Sequence, residues 1–419
     1  MRLKMVCAEC AEEKPLDSVA FSCRCGGLMQ IVQEGANWDA EKLKRIFDER
    51  LKERGTLQAS GVWRYKELIH PELPLHAAVT RNEGNTGLYA SEQVRAYAGV
   101  RRLWLKAQSE NPSGSFKDNG MVVAVSQGLS LGYSRFACSS TGNTSASLAM
   151  YAAWGGAEAY VFVPEHGVAA GKIGQTLAYG GRMIRFSGTY DDGIAFLQRH
   201  AADLGLYVCN SVNPWRIEGQ KSIGYEIAQQ LGWRLPDWLV LPGGALSNMT
   251  ALGKGLKELL AVGLIDKLPR IAVVQAEGAS PFHRMVASGA DVLVPEPSPR
   301  TRASALCIGH PPSWRKAAAL LRDFDGVTVS VTDEEIFAAK RVADRSGIGC
   351  EPASAASVAG LRKLQEAGVV DREAEAACIL TGHMLKDQEA MFMYLEDERD
   401  LKGEKREELR PEAVRALFS

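Results

Sequence analysis

Arg135-Phe136-Ala137-Cys138-Ser139-Ser140-Thr141-Gly142-Asn143-Thr144-Ser145 passes from a short apolar run into a cluster of hydroxyls, then into a stretch of helical period that ends near Trp154. The pattern predicts a strand, a loop and a helix that starts at Asn143. Working outward, the same unit recurs. Further strands are expected at Leu103–Lys106, Ala159–Val163, Arg182–Phe186, Leu206–Val208, Trp238–Leu241, Ile271–Gln275, Val327–Val331 and Ala377–Leu380. Helical stretches follow most of them, among them Pro214–Leu231, Asn248–Ala261 and Asp333–Ser346. This alternation marks α/β units around mainly parallel sheets. The strands are too many for one layer, so two open, twisted α/β lobes are expected.

The flanks of this body differ in character. The chain should divide into a Cys-rich head (1–35), a helical segment (36–80), a large lobe (81–118 with 210–400), a small lobe (119–209) and a tail (401–419). With 419 residues, 46% of them hydrophobic and 24% charged, the profile is that of a globular chain with sizeable cores. A formal net charge of -1 gives no reason to expect nucleic acid or an anionic membrane as partner. No apolar run is long enough to span a bilayer, and the first residues lack a secretory pattern. Nine cysteines, an odd and scattered set, read as reduced thiols in a cytoplasm.

In such folds ligands bind where strand ends meet helix starts. Asn111-Pro112-Ser113-Gly114-Ser115-Phe116-Lys117-Asp118 lies at one such place, with Ser115 as the expected N-cap and Lys117 in the first helical turn. A lysine there opposes the helix dipole, and the same field lowers its pKa and favours attack on an aldehyde. On this octapeptide alone, a surface lysine is the better account. Ser139 to Ser145 shifts the balance. Capping needs one hydroxyl, and this loop supplies several beside a helix N-terminus, an arrangement suited to a carboxylate or phosphate. Pro242-Gly243-Gly244-Ala245-Leu246-Ser247-Asn248 is a second anion loop, weak as a signal by itself and matching neither the P-loop nor the dinucleotide fingerprint. Arg216 can bind an anion bidentately or make a surface ion pair. Thr381 can meet a ring nitrogen or cap the next helix, and His383 is given no role.

One amine, two anion loops and one hydroxyl at strand ends suit a pyridoxal-phosphate (PLP) site. Five motifs then agree in order: Ser115 to Asp118, Ser139 to Thr144, Asn210 to Lys221, Glu351-Pro352-Ala353-Ser354 and Thr381-Gly382-His383. In this the body, from Glu83-Gly84-Asn85-Thr86 to Lys386-Asp387, resembles the threonine synthases. The resemblance implies the PLP fold type II, with the cofactor between two lobes and a phosphorylated amino acid as substrate. By motif, Lys117 would bond the cofactor aldehyde and move protons, with Phe116 packed beside the ring. Asn143 would bond the 3′-oxygen, Gly244, Ala245, Leu246, Ser247 and Asn248 would cradle the phosphate, and Thr381 would face the pyridine nitrogen. Ser139, Ser140, Thr141 and Thr144 would bind substrate, and Asn210 and Arg216 its phosphate. The implied reaction is O-phospho-L-homoserine plus water to L-threonine plus phosphate, and the family suggests a homodimer.

Ala245 and Ser247 depart from the family's usual Asn and Gly, and a serine at 247 would adopt positive φ less easily than glycine. A related β- or γ-replacement or elimination enzyme, dehydratase-like or acting on another phosphorylated amino acid, is the alternative. A PLP-fold protein used only for binding is a second one. In the head, Cys7, Cys10, Cys23 and Cys25 suit one structural zinc, against free thiols in a relic knuckle.

Overall fold

The computed structural model describes residues 2–35, 37–140, 142–165, 170–188 and 190–391, with residues 412 and 415. Of the expected ligand contacts Thr141 lies outside the described residues, as does nearly all of the 401–419 tail. The chain opens on a small antiparallel sheet of order β2-β1-β3, made of β1 (Arg2–Cys7), β2 (Glu13–Lys14) and β3 (Met29–Glu34). Residues Leu3, Met5, Cys7, Met29 and Ile31 alternate with more exposed neighbours and are all buried. That period of two lays one face of the head on the body. The segment that follows holds helix α1 (Ala40–Arg50), capped by the Asp39 side chain, and the short α2 (Lys66–Ile69), joined by single 3-10 turns.

A six-stranded sheet forms the larger half of the body. Its members are β4 (Leu88–Tyr89) and β5 (Arg102–Ala107), with α3 (Glu92–Ala98) between them, and four strands from later in the chain. Helix α4 (Lys117–Ser130) then leads into the second sheet. This holds β6 (Arg135–Ser139), β7 (Glu158–Pro164), β8 (Arg182–Phe186) and β9 (Tyr207–Val208), all parallel in the order β8-β7-β6-β9. Helices α5 (Asn143–Trp154), α6 (Ala170–Ala178) and α7 (Tyr190–His200) connect them.

The chain returns through α8 (Pro214–Gln220) and α9 (Ser222–Gln230) to β10 (Trp238–Pro242), α10 (Ser247–Val262) and β11 (Arg270–Ala276). Next come α11 (Pro281–Ala287), α12 (Trp314–Asp323), β12 (Val327–Val331), α13 (Asp333–Arg345), α14 (Pro352–Glu366) and β13 (Glu375–Leu380). The strand order is β12-β11-β10-β13-β5-β4, parallel except for the edge strand β4. Parallel strands covered by helices on both faces read as continuous apolar runs; β10 and β11 do so and are buried almost throughout.

Every expected body strand is present, and the two-lobed α/β architecture holds. The single helix expected over Pro214–Leu231 is two, meeting at Lys221. The Glu83-Gly84-Asn85-Thr86 stretch proves to be packing machinery. Glu83 is fully buried and accepts from the hydroxyls of Ser60 (2.6 Å), Thr80 (3.0 Å) and Tyr151 (2.9 Å), so burial costs this carboxylate little of its hydrogen bonding. No helix among the described residues is long and apolar enough to cross a membrane.

Candidate active site

Strands β5, β13 and β10 are parallel neighbours, so the segments leaving their C-terminal ends emerge on one edge of the large sheet. Those segments are the Lys117 loop, Thr381-Gly382-His383 and the Gly243–Asn248 loop. The first two are bonded together: Phe116 N–H donates to Thr381 O (2.9 Å), His383 N–H donates to Gly114 O (2.9 Å), and Ser115 bridges to Gly382. The amine and the hydroxyl expected to share a site are therefore on one rigid unit.

Lys117 is the first residue of α4, but Ser115 is not its cap. Phe116 occupies that position without a side-chain bond, and the Ser115 hydroxyl is buried with no protein partner. The loop is held by Asp118 instead. Its buried carboxylate accepts from Ser113 N–H (2.6 Å), from the Ser113 hydroxyl (2.6 Å) and from Ser147 Oγ on α5. Lys117 is half-buried, with its ammonium position 4.1 Å from the centre of the Phe116 ring. Burial, with a smaller push from Arg216, brings its pKa down to about 7, while Glu351 pulls the other way. An amine poised there is neutral for much of the time near neutrality, which a nucleophile requires.

Arg216 is buried on α8 and donates to Cys209 O at 3.0 Å. A surface ion pair is thus excluded, and the guanidinium stands close enough to Lys117 to act on its proton. α8 lies hard against α4: a Cβ on Gly219 would come within 2.0 Å of Asn119 O, and one on Gly120 within 2.6 Å of Arg216 O. Glycine at both positions is what lets the two helices, and with them Lys117 and Arg216, approach so closely.

From the small sheet, Asn143 opens α5 and donates to both oxygens of Glu351, at 3.2 and 3.0 Å. Glu351 precedes α14, and the Thr381 hydroxyl donates to it at 3.3 Å. Burial raises this carboxyl above its ordinary value, against the hydrogen bond from Asn143 and the charges of Lys386 and Lys117. Thr381 also pairs with Ser354 Oγ at 2.9 Å, and the turn after it is capped by the His383 ring, so capping is not the task of Thr381. Sequence reasoning places Glu351 within a motif and gives it no role. A carboxylate immediately before a proline at a helix start was the available signal.

Ser139 and Asn210 meet across the ends of β6 and β9. The Asn210 amide accepts from Ser139 N–H (3.0 Å) and donates to Ser139 O (2.9 Å), both buried. Committed in this way, Asn210 shapes the hydroxyl loop more directly than it could hold a ligand. Ser140 in the same loop and Thr144 in the first turn of α5 are half-buried.

The Gly-rich loop opens α10, where a helix leaves its first N–H groups without intrahelical acceptors. Gly244 is needed for space, since a Cβ there would stand 2.9 Å from Ala305 O. The residue at positive φ is Leu246 (φ 64) and not Ser247, which is already helical. The strain expected at the serine therefore falls one residue earlier, on a leucine whose side chain is buried in the core. Asn248 turns back to Pro242 O (2.6 Å) and fixes the loop. This set fits a PLP cofactor: a half-buried amine of lowered pKa, a helix N-terminus preceded by paired glycines and a buried hydroxyl, all at one sheet edge.

The fold and site define a pyridoxal-phosphate dependent enzyme, and the chain belongs to the family of that description, which matches residues 79–382. It is 42% identical to a threonine synthase of Methanosarcina acetivorans, over 93% of this chain and 94% of that one. A threonine synthase of Methanocaldococcus jannaschii is 40% identical over 93% and 95%. Threonine synthase 2, chloroplastic, of Arabidopsis thaliana is 32% identical over 91% and 76%. Such likeness over nearly the whole length places the chain among the threonine synthases. In fold it is similar to diaminopropionate ammonia lyase from Escherichia coli, with a TM-score of 0.64 at 18% identity, covering 95% of this chain and 98% of that one.

Proposed function

We propose that this enzyme converts O-phospho-L-homoserine and water to L-threonine and phosphate. The placement of Lys117 beside both Arg216 and Glu351 carries the reading, because the reaction needs a proton carrier next to an anion clamp. When bound, PLP draws electrons from the amino acid's α-carbon, so that neighbouring C–H bonds become acidic enough to break.

The rest falls to this chain. Gly244, Ala245, Leu246, Ser247 and Asn248 would hold the cofactor phosphate through backbone N–H groups at the start of α10. Phe116 would back the ring, Asn143 would bond its 3′-oxygen and Thr381 would meet its nitrogen. A neutral hydroxyl there would not favour a charged ring nitrogen, which would limit side reactions. The Lys117 amine takes and returns protons at the substrate carbons. Arg216 binds the departing phosphate, aided by the loop that Asn210 braces. Ser139, Ser140, Thr141 and Thr144 take the substrate carboxylate.

In the head, the Sγ atoms of Cys7, Cys10, Cys23 and Cys25 lie within 4.8 Å of one another. That spacing suits four thiolates around a tetrahedral zinc, with Zn–S of about 2.3 Å, so they would hold one structural zinc. Thiols kept free for a metal favour a cytoplasmic enzyme, and a homodimer is our reading of its assembly. We read the division as 1–35, 36–80, 81–118 with 210–400, 119–209 and 401–419, a reading supported by the separate sheets of the head and the two lobes.

Purified protein loaded with PLP is to be assayed for phosphate and threonine from O-phosphohomoserine, and for oxoacid from threonine and serine. Stoichiometric phosphate and threonine are expected. Oxoacid formation without phosphate release would remove this assignment and leave a dehydratase-like enzyme.

A further inference from the structure

The two lysines that tie the head to the body lead directly to the active-site helix. Lys316 on α12 donates to Met29 O at 2.9 Å, and Lys254 on α10 donates to Ile31 O at 2.5 Å, both carbonyls of β3. The same Lys254 ammonium contacts the Glu218 carboxylate. Glu218 is buried on α8, two residues past Arg216. Its second oxygen accepts from Lys221 at 2.5 Å, and Lys221 also bonds Glu258 and Leu68 O, each at 2.7 Å. β3 itself packs on α8. Ile217, the residue between Arg216 and Glu218, lines a cavity of about 920 Å³ together with Glu9, Gln30 and Val32 of the head and Lys254 and Lys316 of the body.

α8 is therefore gripped from two sides. α4, carrying Lys117, meets one face with no room for a Cβ at Gly219. The other face packs on β3 and α10 and borders a large cavity at Ile217, beside which the Lys254–Glu218 pair crosses. Where packing is loose, a directional contact decides position, because a cavity supplies no opposing atoms.

We propose that Lys254 and Glu218 are positioning residues through which the Cys-rich head sets the place of Arg216 in the active site. The inference rests on the reading of Arg216 as the clamp for the substrate phosphate. Lys254 links a head carbonyl to the Glu218 side chain, and Glu218 is rigidly joined to Arg216 through half a helical turn. When the head shifts, the strut transmits the shift to the guanidinium. Glu218 keeps Lys221 if Lys254 is removed, so no buried carboxylate is left without a cation and the variant should fold.

The test uses the PLP-loaded full chain and the variants K254M, K254R, R216Q, C23S and K254M with C23S. Thermal melting establishes that each is folded. KM for O-phosphohomoserine and the inhibition constant of inorganic phosphate are expected to rise about fivefold in K254M, the lower end of ordinary coupling between sites, with kcat changed much less. K254R should restore both. C23S, which loosens the head, should raise KM in the parent chain and add little in K254M, since the strut is already cut. Equal and independent effects of C23S in both backgrounds, or a K254M that leaves both constants unchanged while R216Q raises them, overturn the strut alone. If R216Q raises neither constant, the phosphate-clamp reading fails and the proposal falls with it.

Discussion

Asn143, at the head of the first helix of the small sheet, donates to both carboxylate oxygens of Glu351, which precedes the last helix of the large sheet (3.2 and 3.0 Å). The bond joins the two lobes at the candidate site. It also ties the residue expected to face the cofactor to a buried acid that acts on Lys117.

The neutral amine is the form that adds to an aldehyde, and Lys117 holds a pKa of about 7. Capture of PLP by the cofactor-free protein, followed by rapid-mixing absorbance, should accelerate as pH rises through about 7 and level off above it. R216Q removes a nearby cation and should move the midpoint up. E351Q removes an anion and should move it down. A midpoint near the ordinary lysine value of about 10.4 in the parent chain would falsify the assignment.

The same residue predicts a stability trend. Unfolded, the lysine binds a proton at the ordinary value of 10.5; folded, it releases it near 7. The unfolded state therefore carries more protons between these limits, and the Lys117 contribution to stability grows as pH rises and is lost as pH falls towards 7. Urea denaturation of cofactor-free K117M, in which this contribution is absent, should show a flatter profile than the parent across that window.

N143A withdraws a side-chain amide from a buried carboxylate, and leaving such a group under-bonded costs about 1–3 kcal/mol. N143D should cost more, because a second carboxylate would face Glu351. Chemical denaturation that ranked N143D above N143A would contradict this account of the lobe contact.

G219A improves intrinsic helix propensity by about 1 kcal/mol. It also places a Cβ 2.0 Å from Asn119 O, and backbone cannot rotate away as a side chain can. Overpacking of about 1–3 kcal/mol should prevail, with a lower melting temperature and a raised KM, since the helices bearing Lys117 and Arg216 are forced apart.

L246G relieves a left-handed leucine, a gain of about 1–2 kcal/mol. It also deletes a fully buried side chain, a loss of about 2–5 kcal/mol. The net effect should be destabilising in urea titrations, although the loop becomes less strained.

Much of this site is legible in the amino-acid order. The strand-loop-helix periodicity locates Lys117, the hydroxyl loop and the Gly-rich loop, because a parallel sheet writes its buried strands as apolar runs and its ligand loops as polar breaks. Glu351 is less visible: its chemistry depends on Asn143 and Thr381, both remote from it along the chain. The expected cap at Ser115 and the expected strain at Ser247 each fall on a neighbouring residue, Phe116 and Leu246. Local preference can name a segment, but the residue that caps or strains is settled by what the neighbouring strand leaves room for.

The order of apolar and polar segments determined the architecture and the list of reactive groups, since burial pattern and loop chemistry are local properties of a chain. Tertiary structure decided which groups touch: the Asn143–Glu351 bond, the depressed amine at Lys117, the inward turn of Asn210 and the Lys254–Glu218 strut. Distance and desolvation set these interactions, and neither is defined until remote segments have folded against each other.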